Sequence, residues 1–173
     1  VFRDPSAWYH IVVALDSTAG TDAERIKLYV NGVQEESSSF STGPTVGSNG
    51  EGLTNSNNVG HNIGSWTPAS SSLNLNAYLA DVYFVDGSAL SPTSFGAFDS
   101  SGVWQAAEYS GTFGTNGFHL LDFANESTIG HDSSGNNNDF TANNLTNDSV
   151  TTLTGVAFDG ADDYLTLAGS SDF

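Results

Sequence analysis

Acidic side chains dominate the chemistry open to this chain: 20 Asp and Glu stand against three Lys and Arg, a formal net charge of -17. Retaining glycoside hydrolysis needs two carboxylates about 5 to 5.5 Å apart on rigid elements. The adjacent pairs are Glu35-Glu36 and Asp162-Asp163, and neighbours on a strand point to opposite faces, so neither makes a dyad by itself. None of His10, His61, His119 and His131 is accompanied by a G-x-S-x-G nucleophile elbow, and neither C-x-x-C nor H-E-x-x-H occurs. A non-enzymatic protein is expected.

Oxygen-rich turns suit calcium better, because calcium takes six to eight oxygen ligands. Asp132-Ser133-Ser134-Gly135-Asn136-Asn137-Asn138-Asp139 offers several, with Asp132 and Asp139 as its carboxylates, although it lacks the spacing and terminal Glu of an EF-hand. The alternative is an Asx turn, in which the same side chains bond their own backbone. Asp159, Asp162 and Asp163 form a second candidate set for calcium.

The acidity also excludes partners. Such a field repels phosphate backbones, so no nucleic-acid binding is expected, and an anionic membrane surface is disfavoured for the same reason. No stretch approaches the roughly 18 to 20 apolar residues of a spanning helix, so no membrane insertion is expected. There is no Cys to form a disulfide and no Met. The missing Met points to a processed chain or to part of a longer protein.

The elements that must position these groups read as strands. Residues 7–15 form a β-prone run that closes on Asp16-Ser17. Ile26, Leu28 and Val30 alternate with Lys27 and Tyr29, the period of a half-buried strand. Asn31-Gly32 follows, a hairpin turn whose two positions need positive φ. Residues 37–58 are a Ser/Gly/Asn/Thr stretch, a surface loop or a pair of weak edge strands. A short strand is expected at 59–65, a continuous one at 77–85, and others at 118–123 and 164–168. Ser91-Pro92 predicts one short helix over 92–98, and 99–117 an irregular connection anchored by Trp104, Tyr109 and Phe113. Many short strands between Gly/Asn turns indicate an all-β antiparallel sandwich.

W-Y-H-I-V-V at 8–13, K-L-Y-V-N-G at 27–32, H-N-I-G at 61–64 and L-A-D-V-Y-F-V-D-G-S-A-L-S at 79–91 together resemble the laminin-G-like, or concanavalin A-like, jelly-roll domains. D-S-S-G-N at 132–136 and F-D-G-A-D-D-Y-L at 158–165 look like the opening of the same domain type. The blocks at 2–12, 81–96 and 109–120 resemble the virion-surface, tail-fibre-like proteins of aquatic bacteriophages. Residues 1–98 then correspond to the second half of a module, 99–117 to a connection, and 118–173 to the opening strands of a module. The middle strands of such a module are missing, which makes the chain an incomplete or permuted jelly roll, or one completed by neighbouring modules of the same protein. A sandwich that lacks strands exposes unpaired edges, which favour strand addition from another chain.

The resemblance implies carbohydrate recognition, with a host cell-surface glycan as ligand, and calcium at the sandwich rim. Trp66, in a Ser/Pro loop, is the candidate stacking residue, with His61, Asn62 and Tyr78 near it; the alternative is that Trp66 covers the core. Trp8 and Trp104 are expected as core or anchor residues, and His10 as a structural hydrogen-bonding group. Asn125, Asn144 and Asn147 begin N-x-S/T sequons to which no role is attached. The expected protein is a virion-surface or extracellular structural component that binds a host glycan and forms a homo-oligomer. The second reading is a self-assembling fibre subunit joined by strand pairing between protomers, with a proline in an edge strand such as 26–30 as its test.

Overall fold

The computed structural model describes residues 4, 6–36, 60–65, 74–121, 127–145 and 155–168. Among them the chain is all-β, with one turn of α-helix and one 3-10 turn. It forms two compact units: Val1–Gly52 with Ser88–Gly111, and Leu53–Gly87 with Thr112–Phe173.

The first unit is built on β1 (Ile11–Leu15), β2 (Ile26–Val30) and β3 (Val33–Gln34), an antiparallel sheet in that order. The helical turn α1 (Asp22–Arg25) lies inside the segment that leads into β2. Asn31 and Gly32 take φ of 48° and 78° and close the β2–β3 hairpin as their residue types require. Asn31 Oδ1 also accepts the His10 N–H at 2.8 Å, so the turn residue ties β1 to the hairpin. A side chain at position 32 would run into the Trp104 ring. Trp104 is thereby the anchor expected of it: its Nε1–H donates to His10 Nδ1 at 3.1 Å, and Phe98 packs edge-on at 5.0 Å. Trp8 is no core residue, since it is 52% exposed.

The alternation of Ile26, Leu28 and Val30 did place a strand, but not an edge. β2 is the central strand, hydrogen-bonded on both sides, and β1 ends the sheet. A proline in 26–30 would therefore break this unit's own ladder, so it is no test of pairing between protomers.

The expected helix over 92–98 is a 3-10 turn at Pro92–Ser94, which gives way at Phe95 to a strand, β7 (Gly96–Phe98). That strand pairs with β8 (Trp104–Ala106), so the stretch after 98 is not wholly irregular. Asp99 organises the turn between them: Oδ1 accepts the N–H groups of Ser101 and Val103, and Oδ2 accepts Gln105 Nε2.

The second unit contains β4 (His61–Ile63), β5 (Asn76–Leu79), β6 (Val82–Phe84), β9 (Phe118–Leu120), β10 (Thr141–Asn143), β11 (Val156–Asp159) and β12 (Tyr164–Leu167). The strand expected over 77–85 is two strands. Asp81 has φ of 55°, in the left-handed region that extended ladders exclude; β5 pairs with β11 before it and β6 with β9 after it. The kink is held by Asp81 itself, which takes His119 Nε2 at 2.7 Å and the Tyr83 hydroxyl at 3.0 Å.

Consecutive β11 and β12 do not pair with each other. β11 joins β5, and β12 lies between β10 and β4, so the chain changes sheets across residues 160–163. Such corners let two apolar faces meet. The core gathers there: Val156 and Phe158 from β11, Leu165 and Leu167 from β12, Phe118 and Leu120 from β9, with Ile129, Phe140 and Leu145. Gly64 (φ 92°) lies directly on the Phe158 ring, where a larger residue would displace it. Among the described residues no helix is long and apolar enough to cross a membrane.

Candidate functional site

The β5–β11 ladder sorts its side chains by the two-residue period of a strand. Val156 opposes Leu79 and Phe158 opposes Ala77; Val156 and Phe158 are 0% and 2% exposed. The alternate residues face outward: Tyr78 opposite Ala157, and Asn76 opposite Asp159. Tyr78 is 59% exposed, because the residue across from it is a single methyl. One face thus carries an uncovered aromatic ring, an amide two residues along, and a carboxylate beside the amide. Asn76 was missed by sequence reasoning. The signal was present in the paired alternations N-A-Y-L and V-A-F-D, but their register was not.

Of the other candidate glycan residues, His61 and Asn62 lie on β4, opposite Leu167 and Thr166 of β12. A bridge between Ser65 and Asn74, and the Leu75 N–H to Gly64 C=O bond, link β4 to β5. β4 then pairs with β12 and β5 with β11, so the two strands part. Trp66 lies outside the described residues.

Asp159 also belongs to a second grouping. One carboxylate oxygen from each of Asp159, Asp162 and Asp163 lies within 4.8 Å of the others. Gly160, in the left-handed region at φ 81°, begins the turn that brings them round. Asp159 Oδ1 accepts the Ala161 N–H at 2.7 Å, and Asp163 Oδ2 accepts the Asp159 N–H at 3.0 Å. Asn74 Nδ2 bonds the Ala161 carbonyl and Asn144 Nδ2 that of Asp162, which pins the turn from two sides. Asp163 is buried, and this burial, with the charges of Asp159 and Asp162 added, holds its carboxyl above the ordinary value although the Asp159 N–H opposes the shift.

No family model, curated protein or solved structure matches this chain.

The first calcium candidate is spent differently. Asp132 is buried, and its two oxygens accept four donors: the N–H groups of His119 and Ser134 on Oδ1, and Ser134 Oγ and the Asn138 N–H on Oδ2, each at 2.9 Å. Asp139 Oδ1 accepts the Asp132 N–H at 2.7 Å and lies 3.0 Å from His131 Nδ1. This is the geometry of the Asx-turn alternative, and a cation there would compete with four donors. Asn136 and Asn138 use their amides to bond the carbonyls of Gly114, Thr115 and Gly117, so the loop is fastened by polar groups.

Asp163 gives a prediction whose sign can be worked out. An acid whose folded-state pKa is raised binds more protons folded than unfolded between its unfolded value, about 4, and the raised one. Its contribution to stability therefore falls as pH rises through that window. In EDTA, Asp163→Asn is expected to raise the thermal midpoint at pH 7 and leave it unchanged near pH 3, read by calorimetry. The amide keeps an acceptor for the Asp159 N–H, so the gain is electrostatic.

Proposed function

We propose that this chain is a non-enzymatic structural module of a virion or extracellular surface, a laminin-G-like β-sandwich of the tail-fibre-like or decoration type, which attaches to a host cell-surface glycan through the outward face of β5 and β11. The observation that carries the reading is the uncovered Tyr78 ring with Asn76 and Asp159 beside it. A sugar offers a C–H face that packs on an aromatic ring and hydroxyls that bond amides and carboxylates. Apolar body and polar partners are here held on one ladder, so little order is lost on binding. The motif order at residues 8–13, 27–32, 61–64 and 79–91 supports the family assignment.

The same reading gives calcium to Asp159, Asp162 and Asp163. Hard oxygen donors suit that ion, and each carboxylate keeps an oxygen beyond those bonded to backbone. Added calcium is then expected to raise the thermal midpoint of the wild type and to leave Asp163→Asn unmoved.

Glycan-array binding tests the main claim. Tyr78→Ala is expected to weaken binding at least about tenfold, some 1.4 kcal/mol, and Tyr78→Phe to retain it because the stacking surface persists. Binding unaffected by Tyr78→Ala rejects this face. The second reading, a fibre subunit joined by strand pairing, is favoured by one observation in the other unit: β1 closes its sheet with exposed apolar residues.

A further inference from the structure

The free side of β1 has a definite chemistry. Asn31 donates its N–H to His10 C=O, and Asp16 donates its N–H to Arg25 C=O. In the register that pairs Ile11 with Val30 and Leu15 with Ile26, the main-chain groups of even-numbered residues therefore point at β2. Those of Ile11, Val13 and Leu15 point away from it. Among the described residues β1 pairs with β2 alone. The three side chains are 51%, 56% and 38% exposed. Of the devices that natural edges use to avoid pairing, β1 carries neither a proline nor a charged residue.

The strand also matches itself. A two-fold axis through Val13, running antiparallel, sets Val13 against Val13, Ile11 against Leu15, and Val12 against Ala14. The pairs 11/15 and 13/13 are then the hydrogen-bonded ones, so every outward N–H and C=O of Ile11, Val13 and Leu15 finds a partner. One step outside, the axis sets His10 against Asp16 as a closely spaced, non-hydrogen-bonded pair on the same face. Neither end of the pairing thus sets acid against acid, as most random contacts of a chain of net charge -17 would.

We infer that β1 is a self-association edge, at which a second copy of this chain adds its own β1 antiparallel about Val13 to make a continuous six-stranded sheet. This rests on the strand-pairing reading given above and is independent of glycan binding. An edge of five residues buries less than the roughly 800 Å² per partner of a stable interface. Pairing is accordingly weak between free molecules and strong where copies are tethered side by side. It strengthens with salt, because two bodies of charge -17 repel less as the Debye length shortens to about 8 Å.

Sedimentation of the full chain at rising concentration and salt tests this, with three variants. Val13→Pro removes an N–H that β2 does not use, so it is expected to abolish the dimer while circular dichroism stays unchanged. Leu28→Gln lies on the same apolar face but on the central strand, and is expected to leave the dimer intact. Val13→Cys introduces the sole thiol at the axis, where two hydrogen-bonded Cα atoms sit about 5.5 Å apart, within disulfide reach. Oxidation is expected to yield a covalent dimer, and Leu28→Cys none. A chain that stays monomeric at every salt concentration overturns both this inference and the strand-pairing reading. A dimer that survives Val13→Pro, or that Leu28→Gln removes, overturns the edge and leaves association by another surface.

Discussion

Asp132→Ala is expected to cost about 3 to 5 kcal/mol, a large share of a domain's usual 5 to 15 kcal/mol. Four donors converge on this carboxylate. Hydrogen bonds to a charged group contribute roughly 1.5 to 3 kcal/mol each when buried and less when solvent can replace them. The His119 N–H is the costly one, because it sits in the core strand β9, where water does not substitute. Asp132→Asn keeps one acceptor oxygen and is expected to lose about half as much. Denaturant unfolding measures both; equal midpoints for wild type and Asp132→Ala would show that the loop closes without the carboxylate. Acid gives the companion experiment. Burial pushes the Asp132 carboxyl up, but the N–H groups of His119 and Ser134, the Ser134 hydroxyl and the Asn138 N–H together bring it below the ordinary value. For a depressed acid the stabilisation is complete above the unfolded value, about 4, and is lost as pH falls through the lower folded one. The stability gap between wild type and Asp132→Ala should therefore narrow as pH falls below about 4.

Phe158→Ala is expected to cost a further 3 to 5 kcal/mol by the usual scale for a buried phenyl ring. The ring is 2% exposed, lies against Gly64, and belongs to the cluster that β9, β11 and β12 share. Glycine cannot move a side chain into the space left, so the cavity persists. Phe158→Leu should lose less, about 1 to 2 kcal/mol, because most of the side-chain volume remains. Amide exchange checks where the damage falls: protection of β4, β5, β11 and β12 should drop together. If it drops in β11 alone, the corner is not the cooperative centre described above.

Strands whose register is set by their own sequence were legible. The alternation 26–30 and the Asn31-Gly32 turn became β2 and its hairpin, since period and turn chemistry are local. What depends on distant partners was not. Residues 77–85 read as one apolar run; the kink exists because Asp81 takes His119 from a strand nearly forty positions on, which no window shows. Likewise β7 and β8 are held together by Asp99, although the first lies where Ser91-Pro92 suggested a helix and the second where Gly content suggested only a connection. At the candidate sites, Asp159, Asp162 and Asp163 are brought together, as their spacing around Gly160 allowed. Asp132 and Asp139 are also neighbours, but through a backbone N–H, a distinction that composition alone does not draw. Tyr78 is legible as an aromatic, and its exposure follows from Ala157 across the ladder.

The partnership of β5 with β11 also sets a timetable. During synthesis, β5 leaves the ribosome well before β11 exists, and at about 5 to 20 residues per second the wait lasts several seconds. Over that interval Ala77 and Leu79 have no ladder to enter, nor has β4 the strand β12. Native closure of this unit therefore waits until its last strands, β11 and β12, have been made.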